Sequence, residues 1–284
     1  MKIAFFGTPE IASTVLQEIA QAGIKPDLIV TNPDAPIGRK QILTPPPVKI
    51  WGQKNDIRVI QPHTLKDPNL LPNITNTDWD LFVVVAYGKI IPNWLLDIPK
   101  HGTINVHPSL LPKLRGASPI RSAILNNMQE TGVTIMLMDE KLDHGPILYQ
   151  EKTSITEDSW PIDGQELDQI MSNQGGKMLT KVIPDYIQGK ISPTPQDHSQ
   201  ATFCTKITKD MSELKIDPYH LPIGTEAYDT LLKIRAFSGW PETYFIYNGK
   251  RYKIKQAEII NNKLHIKRVV PEGKTETDFS LCFQ

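Results

Sequence analysis

Residues 2–30 read KIAFFGTPEIASTVLQEIAQAGIKPDLIV, and this stretch decides the class of fold. Residues 2–6 are a short run of β-branched and aromatic side chains, and residues 11–20 repeat apolar side chains at helical spacing. Pro9 stands between them, where a proline suits the start of a helix because its missing N–H needs no partner there. Residues 27–30 are predicted to be the next strand, so the order strand, helix, strand predicts a parallel sheet in an α/β domain.

The first turn excludes one common use of such a sheet. It carries a single glycine, Gly7, whereas a dinucleotide site needs the pattern G-x-G-x-x-G so that the backbone can approach a pyrophosphate.

Further along, Leu81–Val85 is a continuous apolar run, as in a strand buried on both faces. Ligands of open α/β sheets bind at the carboxyl ends of strands, so Tyr87 and Gly88 are candidates for a pocket wall. A tight strand-to-helix turn explains these two residues equally well.

Length and composition limit the number of domains, the kinds of partner and the location that can be expected. The chain has 284 residues, enough for two domains, and its formal net charge is zero, so any nucleic-acid site must be a local patch. The two cysteines, Cys204 and Cys282, fit neither a disulfide framework nor a zinc motif, which favours a cytoplasmic location. No apolar run is long enough for a signal peptide or a membrane span, so neither is expected.

The candidate chemistry lies in residues 102–147, which read GTINVHPSLLPKLRGASPIRSAILNNMQETGVTIMLMDEKLDHGPI. Asn105 and His107 are two apart in a predicted strand, so their side chains point to the same face. An amide can stabilise a carbonyl oxygen that gains negative charge, and an imidazole can move a proton near neutral pH. The carboxylate of Asp143 could orient or charge that imidazole. This set suits the transfer of an acyl group from a carbonyl to a nucleophile.

The same stretch resembles the signature segment of the 10-formyltetrahydrofolate-dependent formyltransferases. The matching positions are Gly102, Asn105, His107, Ser109 to Pro112, Gly116, Pro119, Gly132, Thr134, Asp143 and Gly145. The resemblance implies that Asn105, His107 and Asp143 are the catalytic residues and that 10-formyltetrahydrofolate is the formyl donor. The resemblance also implies that the turn from Ser109 to Pro112 contacts the folate. The expected folate contacts are Tyr87, Gly88, Ser109, Leu110, Leu111, Pro112 and Asp143.

A metal site is not expected in this region. His101 and His144 stand near the candidate residues, but no pair of histidines has the helical spacing of metal ligands, and the family chemistry uses no metal. His144 departs from the family, which usually has a small residue at that position.

Two further segments are similar to the branch of this family that formylates methionyl-tRNA. Residues 31–49 contain the form Pro-Asp-x-Pro-x-Gly-Arg, and residues 234–241 read IRAFSGWP. The resemblance implies that the first segment reaches toward the acceptor end of the tRNA, whereas composition alone indicates an exposed connector. The tRNA contacts expected from this segment are Arg39, Lys40 and Lys49.

The loop departs from the family at three positions. Ala35 stands where arginine is common, and Gln41 and Ile42 stand where lysine is common. Fewer positive charges predict fewer phosphate contacts and a shallower dependence of tRNA binding on salt.

The domain boundaries follow from the second half of the chain. Residues 166–187 have helical periodicity, which Gly175, Gly176 and Pro184 are expected to bend or split. Residues 190–203 are polar and rich in proline, so they are predicted to be a linker. The predicted domains are therefore a Rossmann-like, mostly parallel formyltransferase domain at 1–189 and a second domain at 204–284.

The second domain is predicted to be a small, reduced OB-like β-barrel that binds tRNA. Residues 225–236 suit a helix, and short strands are predicted at 243–247, 252–259 and 263–270. The family normally has further strand sequence before the last of these strands, and here Asn261-Asn262 joins the two segments directly. Lys250, Arg251, Lys253 and Lys255 form a basic patch, with Tyr252 interleaved, that suits phosphate contact, and Lys250, Arg251 and Lys253 are the expected tRNA contacts. A solvated outer strand face is the alternative.

The resemblance covers nearly the whole chain, so the predicted reaction is transfer of the formyl group to the α-amino group of initiator methionyl-tRNA by a monomeric enzyme. Asn105 and protonated His107 would donate hydrogen bonds to the oxygen that becomes negative. Asp143 would bias the protonation of His107 and help to remove the proton of the attacking amine. The group that protonates the leaving nitrogen is left open.

Two other functions are compatible with parts of the sequence. One is a formyltransferase with another amine acceptor, such as an amino-sugar nucleotide or glycinamide ribonucleotide, against which residues 33–49 and 234–241 argue. The other is an RNA-binding module that has lost activity, against which the intact Asn105, His107 and Asp143 argue. Folate binding would separate an active enzyme from such a module.

Overall fold

The computed structural model describes residues 1–38 and 40–283. Its strands are β1 (Ile3–Gly7), β2 (Leu28–Val30), β3 (Ala35–Ile37), β4 (Ile42–Thr44), β5 (Arg58–Ile60), β6 (Leu81–Val85), β7 (Thr103–His107), β8 (Arg115–Gly116), β9 (Gly132–Leu137), β10 (Ile147–Lys152), β11 (Phe203–Cys204), β12 (Tyr244–Tyr247), β13 (Lys250–Ile260), β14 (Lys263–Pro271) and β15 (Thr277–Asp278). Its α-helices are α1 (Glu10–Gln21), α2 (Pro47–Lys54), α3 (Pro72–Thr75), α4 (Asn93–Leu96), α5 (Pro119–Leu125), α6 (Gly164–Ile187) and α7 (Gly224–Ala236).

The chain forms two compact units. The first contains Met1–Arg115, Gly132–Thr153 and Gln169–Thr202, and the second contains Gly116–Thr131, Ser154–Asp168 and the chain from Phe203 onward. Each unit has its own sheet and its own apolar core.

A seven-stranded sheet organises the first unit, in the order β10-β9-β7-β6-β1-β2-β5. The pairs β1–β2, β1–β6, β2–β5 and β6–β7 are parallel, and β9 is antiparallel to both β7 and β10. All residues of β1 and β6 are buried, which is why these strands are apolar throughout. The predicted mostly parallel α/β class is confirmed.

The position of β1 determines where a ligand can bind. The chain extends from β1 to β2 and β5 on one side, and β6 and β7 lie on the other side, so the strand order reverses between β1 and β6. Open α/β sheets bind ligands in the crevice at the carboxyl ends of strands at such a point. The strand β7, which carries Asn105 and His107, ends at this edge beside β6.

The long helix α6 is continuous from Gly164 to Ile187, so the prediction that it splits is wrong. The two glycines have a packing role, because each lets the helix lie close to a neighbour. A Cβ atom on Gly175 would lie 2.7 Å from Cγ1 of Val106, and one on Gly176 would lie 2.4 Å from Cβ of Glu18. These residues are therefore small because α6 packs tightly on β7 and α1, and they do not interrupt the helix.

The second unit contains a four-stranded antiparallel sheet in the order β12-β13-β14-β15. Two tight turns join its first three strands, and both turns place consecutive residues at positive φ: Asn248 at 48° with Gly249 at 72°, and Asn261 at 49° with Asn262 at 63°. Such turns match the twist of antiparallel strands. The predicted small β domain is confirmed, and closure of its strands into an OB-like barrel stays a prediction.

Among the described residues, none of the helices combines the length and the apolar composition that crossing a bilayer requires.

The core of the second unit generates a stability prediction. Phe245 is 0% exposed and packs with Leu264 and Phe279, whereas its neighbour Ile246 is 52% exposed on the other face of β12. We expect Phe245→Ala to lower the free energy of unfolding by about 3–5 kcal/mol and the matched control Ile246→Ala by about 0.5 kcal/mol or less. Urea-induced unfolding followed by circular dichroism measures both. Equal destabilisation by the two variants would contradict the packing described.

Candidate active site

His107 is the most buried of the three predicted catalytic residues, with 4% of its surface exposed. Its Nε2 atom lies 3.0 Å from the backbone carbonyl oxygen of Leu114. A carbonyl oxygen only accepts, so Nε2 carries the hydrogen of this bond. The atom Nδ1 is therefore the ring nitrogen that remains for proton transfer, and it lies 3.7 Å from Oδ1 of Asp143.

Asn105 lies on the same strand, two residues before His107, and it is half-buried. Because side chains alternate along a strand, its amide lies on the same face of β7 as the imidazole. This side chain makes no hydrogen bond to any of the described residues. It therefore presents an uncommitted N–H donor at the edge of the sheet where ligands of this fold class bind.

The backbone holds Asp143 in an uncommon conformation, with φ at 47°. Residues other than glycine adopt positive φ at a cost, and such positions persist where the surroundings over-determine them. The side-chain Nε2 of Gln196 donates to the carbonyl oxygens of Asp143 at 3.0 Å and Gly145 at 2.7 Å. A Cβ atom on Gly145 would lie 2.0 Å from the carbonyl oxygen of Leu137, so the turn requires glycine there.

Two residues of this region were not found by sequence reasoning. Arg115 is 4% exposed and Gln196 is 5% exposed. The Nε and Nη2 atoms of Arg115 donate to Oε1 of Gln196 at 3.2 and 2.6 Å. Gln196 falls in the segment predicted to be a polar linker, and only its place in a Pro-Thr-Pro-Gln-Asp segment could have drawn attention to it.

Two histidines lie next to this pair. The rings of His144 and His198 are stacked with centroids 4.0 Å apart and planes 8° apart. Nδ1 of His144 lies 2.7 Å from Oδ2 of Asp139, and Nδ1 of His198 lies 2.9 Å from Nη2 of Arg115. A guanidinium only donates, so Nδ1 of His198 accepts and this ring is neutral in the bond. Desolvation of the ring lowers the pKa of His198, and the charges of His144 and Arg115 lower it further.

The turn from Ser109 to Pro112 is held by two side chains of the neighbouring strands. Oγ1 of Thr134 donates to the carbonyl oxygen of Ser109 at 2.6 Å and accepts from the N–H of Leu111 at 3.2 Å. Nε2 of Gln150 donates to the carbonyl oxygen of Leu111 at 2.9 Å and to Oγ1 of Thr134 at 2.8 Å. The side chains of Ser109 and Leu111 are buried, so Leu110 and Pro112 form the partly exposed surface of the turn.

Tyr87 and Gly88 differ in what they offer to a ligand. The ring of Tyr87 is 2% exposed and packs edge-on against Phe6, with ring centroids 5.7 Å apart. Burial raises the pKa of its phenol to about 12. Its backbone carbonyl accepts hydrogen bonds from Oγ1 of Thr8 and Nδ2 of Asn32, and Gly88 is exposed with φ at 80°. The Tyr87 ring thus belongs to the core, and Gly88 and the backbone form the surface of this turn.

Two of the predicted tRNA contacts, Lys49 and Lys253, already form ion pairs with carboxylates of the protein. Nζ of Lys49 lies 2.8 Å from both carboxylate oxygens of Asp34, and this hydrogen bond is the largest cause of the lowered pKa of that carboxyl. Lys253 is bound by Glu242, which also accepts from Lys255 at 2.6 Å.

Of the other expected contacts, Lys40, Lys250 and Arg251 are not in an ion pair with described residues. Lys40 and Lys250 are exposed, and the guanidinium of Arg251 lies 5.6 Å from the ring centroid of Tyr244. Arg39 lies outside the described residues.

No group of three or more histidine, cysteine, aspartate or glutamate side chains could hold a metal ion in the part of the chain that the structure describes.

The stacked histidines generate a prediction about pH. The pKa of His198 is lowered from its ordinary value of 6.5, so the unfolded chain binds this proton more readily than the folded chain. Its contribution to stability is therefore present above pH 6.5 and lost as the pH falls through the lowered folded value. We expect the Tm of the wild type to fall more than that of His198→Asn between pH 8 and pH 5, roughly the interval in which histidine changes its charge. Parallel pH profiles of Tm for the two proteins would contradict this coupling.

Two family models match the chain. The model described as formyl transferase matches residues 1–183, and the model described as formyl transferase, C-terminal domain, matches residues 225–278. These matches confirm that the chain is built from the two domain types expected from its sequence.

Two similar proteins are both methionyl-tRNA formyltransferases. A methionyl-tRNA formyltransferase of Halalkalibacterium halodurans is 42% identical over 262 residues, which are 92% of this chain and 80% of the relative. One of Listeria monocytogenes is 41% identical over 263 residues, with the same coverage of 92% and 80%.

A solved structure supports the fold. It is an N-formyltransferase of Helicobacter canadensis in a complex with folinic acid and dTDP-3-aminofucose, with a TM-score of 0.62 and 20% identity. The match covers 94% of this chain and 95% of that chain. Both domain models and the identity to these relatives over most of their length lead to one conclusion: the chain belongs to the methionyl-tRNA formyltransferase family.

Proposed function

We propose that this chain transfers the formyl group of 10-formyltetrahydrofolate to the α-amino group of methionyl initiator tRNA, the step that prepares this tRNA for translation initiation. The relatives that are about 40% identical carry the name of this reaction. The observation that carries the proposal is the uncommitted amide of Asn105, two residues before His107, whose Nδ1 lies 3.7 Å from Asp143. An acyl transfer needs such a donor and such a proton-transfer pair in one place.

Asn105 supplies the hydrogen bond that gains strength during the reaction. When an amine attacks a formyl carbon, the formyl oxygen becomes negative. A fixed N–H donor stabilises that charge more than it stabilises the neutral carbonyl, so it lowers the barrier. The amide of Asn105 has no hydrogen bond to another described residue, so no bond within that part of the protein must be broken before it acts.

His107 and Asp143 donate and accept the protons that the reaction moves. The hydrogen on Nε2 of His107 is committed to the carbonyl of Leu114, which fixes the ring in one orientation. A protonated imidazole would carry its second hydrogen on Nδ1, the atom that faces Asp143. From Nδ1 this imidazolium stabilises the negative formyl oxygen, while the Asp143 carboxylate takes the proton of the attacking amine, directly or through one water. When the bond between the formyl carbon and the donor nitrogen then breaks, that nitrogen takes up a proton and leaves as the amine of tetrahydrofolate.

The folate donor fits the edge formed by the turn from Ser109 to Pro112. Folate supplies the formyl group when bound, and the chain supplies the surface that orients it. Thr134 and Gln150 hold the turn by hydrogen bonds to its backbone, so it keeps its shape without a ligand. Leu110 and Pro112 offer a partly exposed apolar surface, and Gly88 offers an exposed backbone. A rigid, mostly apolar wall with few polar groups is typical of small-molecule sites.

We assign tRNA binding to Lys40, Lys250 and Arg251, which are in no ion pair with described residues, and we expect a smaller contribution from Lys49 and Lys253. The resemblance to the family adds Arg39, which lies outside the described residues. Binding to phosphates gains free energy from counterion release, and a lysine held by a carboxylate releases fewer counterions. The enzyme acts as a monomer in the cytoplasm, where charged initiator tRNA is used.

The experiment that tests this function is single-turnover formylation of charged initiator tRNA with 10-formyltetrahydrofolate, with charged elongator methionine tRNA as the matched acceptor. Fast formylation of the initiator alone is the expected result. Formylation of neither tRNA, with folate still bound, would overturn the proposed acceptor and favour another amine, such as that of an amino sugar. Absence of folate binding would overturn the proposal that this chain is a formyltransferase.

Asn105 gives the sharpest variant. We expect Asn105→Ala to lower kcat by about 10²–10³-fold with folate affinity largely kept, because only the transition state uses the donor fully. Asn76 is exposed and makes no side-chain hydrogen bond to described residues, so Asn76→Ala is the matched control with unchanged kcat. A near-normal kcat for Asn105→Ala would remove this residue from the mechanism.

A further inference from the structure

Gln196 is a buried amide whose hydrogen-bonding capacity is fully used. Its Oε1 accepts two bonds from Arg115, and its Nε2 donates one bond to the carbonyl oxygen of Asp143 and one to that of Gly145. A glutamine amide has two acceptor lone pairs and two N–H donors, so none is left for a ligand. Whatever Gln196 does for the reaction, it does through the groups that it holds.

These groups lie on the two segments that face the imidazole of His107. One segment contains Leu114, whose carbonyl accepts the Nε2–H of His107, and it continues directly into Arg115. The other segment contains Asp143, whose carboxylate faces Nδ1 of the same ring. Gln196 therefore connects the group that orients one nitrogen of His107 with the group that faces the other.

The conformation of both segments shows that they need such support. Leu114 has φ at 56° and Asp143 has φ at 47°, a region that is uncommon for residues with a Cβ atom and that costs a leucine more than an aspartate. Arg115 and Gln196 are both nearly inaccessible, and buried polar groups of this kind are tolerated only when they are hydrogen-bonded. The pair is thus a rigid element next to two strained residues of the site.

We propose that Gln196 is a positioning residue for the formyl transfer: it sets the distance between Asp143 and His107 by tying the backbone of Asp143 to Arg115. This inference rests on the proposed function for its kinetic readout. A misplacement of about 1 Å by a distant substitution can lower a rate by about 10²-fold, so a loss of Asp143 from its place has a measurable cost.

The kinetic test compares Gln196→Ala with a matched control. Gln200 lies four residues further along the same segment, is exposed, and makes no side-chain hydrogen bond to described residues. We expect Gln196→Ala to lower kcat by about 10–100-fold with the KM for 10-formyltetrahydrofolate nearly unchanged, and Gln200→Ala to change neither. A raised KM with normal kcat would overturn the proposal, because that pattern indicates loss of folate binding.

A double-mutant cycle separates positioning from a general loss of structure. If Gln196 acts through Asp143, the change Gln196→Ala costs little further kcat once Asp143→Ala is present. A variant that only loosens the fold would lower kcat by the same factor in both backgrounds. Equal factors in the two backgrounds would overturn the proposal.

A second variant keeps the test decisive if Gln196→Ala folds poorly. Gln196→Glu keeps the acceptor oxygen that Arg115 uses, adds a negative charge beside that guanidinium, and replaces the N–H donors by an oxygen that repels the carbonyl oxygens of Asp143 and Gly145. We expect its kcat to fall as in Gln196→Ala while the ion pair with Arg115 keeps the chain folded, and a normal kcat would overturn the proposal. A crystal structure of Gln196→Glu gives a readout without activity: the separation between Nδ1 of His107 and Oδ1 of Asp143 should depart from 3.7 Å.

The two hypotheses fail in different ways. A wild type that formylates no methionyl-tRNA would overturn the proposed function, and the structure of Gln196→Glu would still decide the role of Gln196. An unchanged separation in that structure would overturn the positioning role while leaving formylation by the wild type intact.

Discussion

Parallel pairing of β1 with β2 and β6 is the constraint on which the first unit depends. Parallel strands cannot be joined by tight turns, so each connection crosses the sheet and covers one of its faces. Both faces of the central strands are then buried, and their carboxyl ends all lie along one edge. The strand that carries Asn105 and His107 therefore ends beside β6 at the point where the strand order reverses. The site occupies this edge because the connections leave it open, while the faces of the sheet are covered.

Three residues with an uncommon backbone conformation belong to the candidate site or stand next to it in the chain. Asp143 has positive φ, and so do Ala86, which precedes Tyr87, and Leu114, which precedes Arg115. Such residues are costly on their own, so the structure around them must hold them. The buried pair of Arg115 and Gln196 is part of that structure, and its polar atoms are satisfied by one another and by the backbone. We therefore propose that the geometry of Asn105, His107 and Asp143 depends on residues that need not touch a substrate.

Charge compensation distinguishes the basic residues of this chain from one another. Asp34 binds Lys49 and also accepts from Gln61, and Glu242 binds Lys253 and Lys255. The hairpin of β3 and β4 exposes apolar side chains, Ile37, Ile42 and Leu43, within residues 31–49, the segment that we propose contacts tRNA. Apolar side chains contact bases or ribose and do not neutralise phosphates. Net charge alone would not have revealed this, since the chain as a whole is neutral.

The amino-acid sequence by itself determined the α/β class, the order of the first strands and the candidate catalytic residues. Apolar periodicity is a local property, and Asn105 and His107 are two apart, so both can be read without knowing the fold. The helix α6 shows where prediction from local sequence fails. Gly175 and Gly176 predict a break in the helix when the sequence is considered alone, but in the folded chain they allow tight packing against neighbouring elements. Only the tertiary structure decided that Gln196 reaches the backbone of Asp143 and that Lys49 is held by Asp34. These contacts join residues distant in the chain, and no periodicity or spacing records which distant side chains meet.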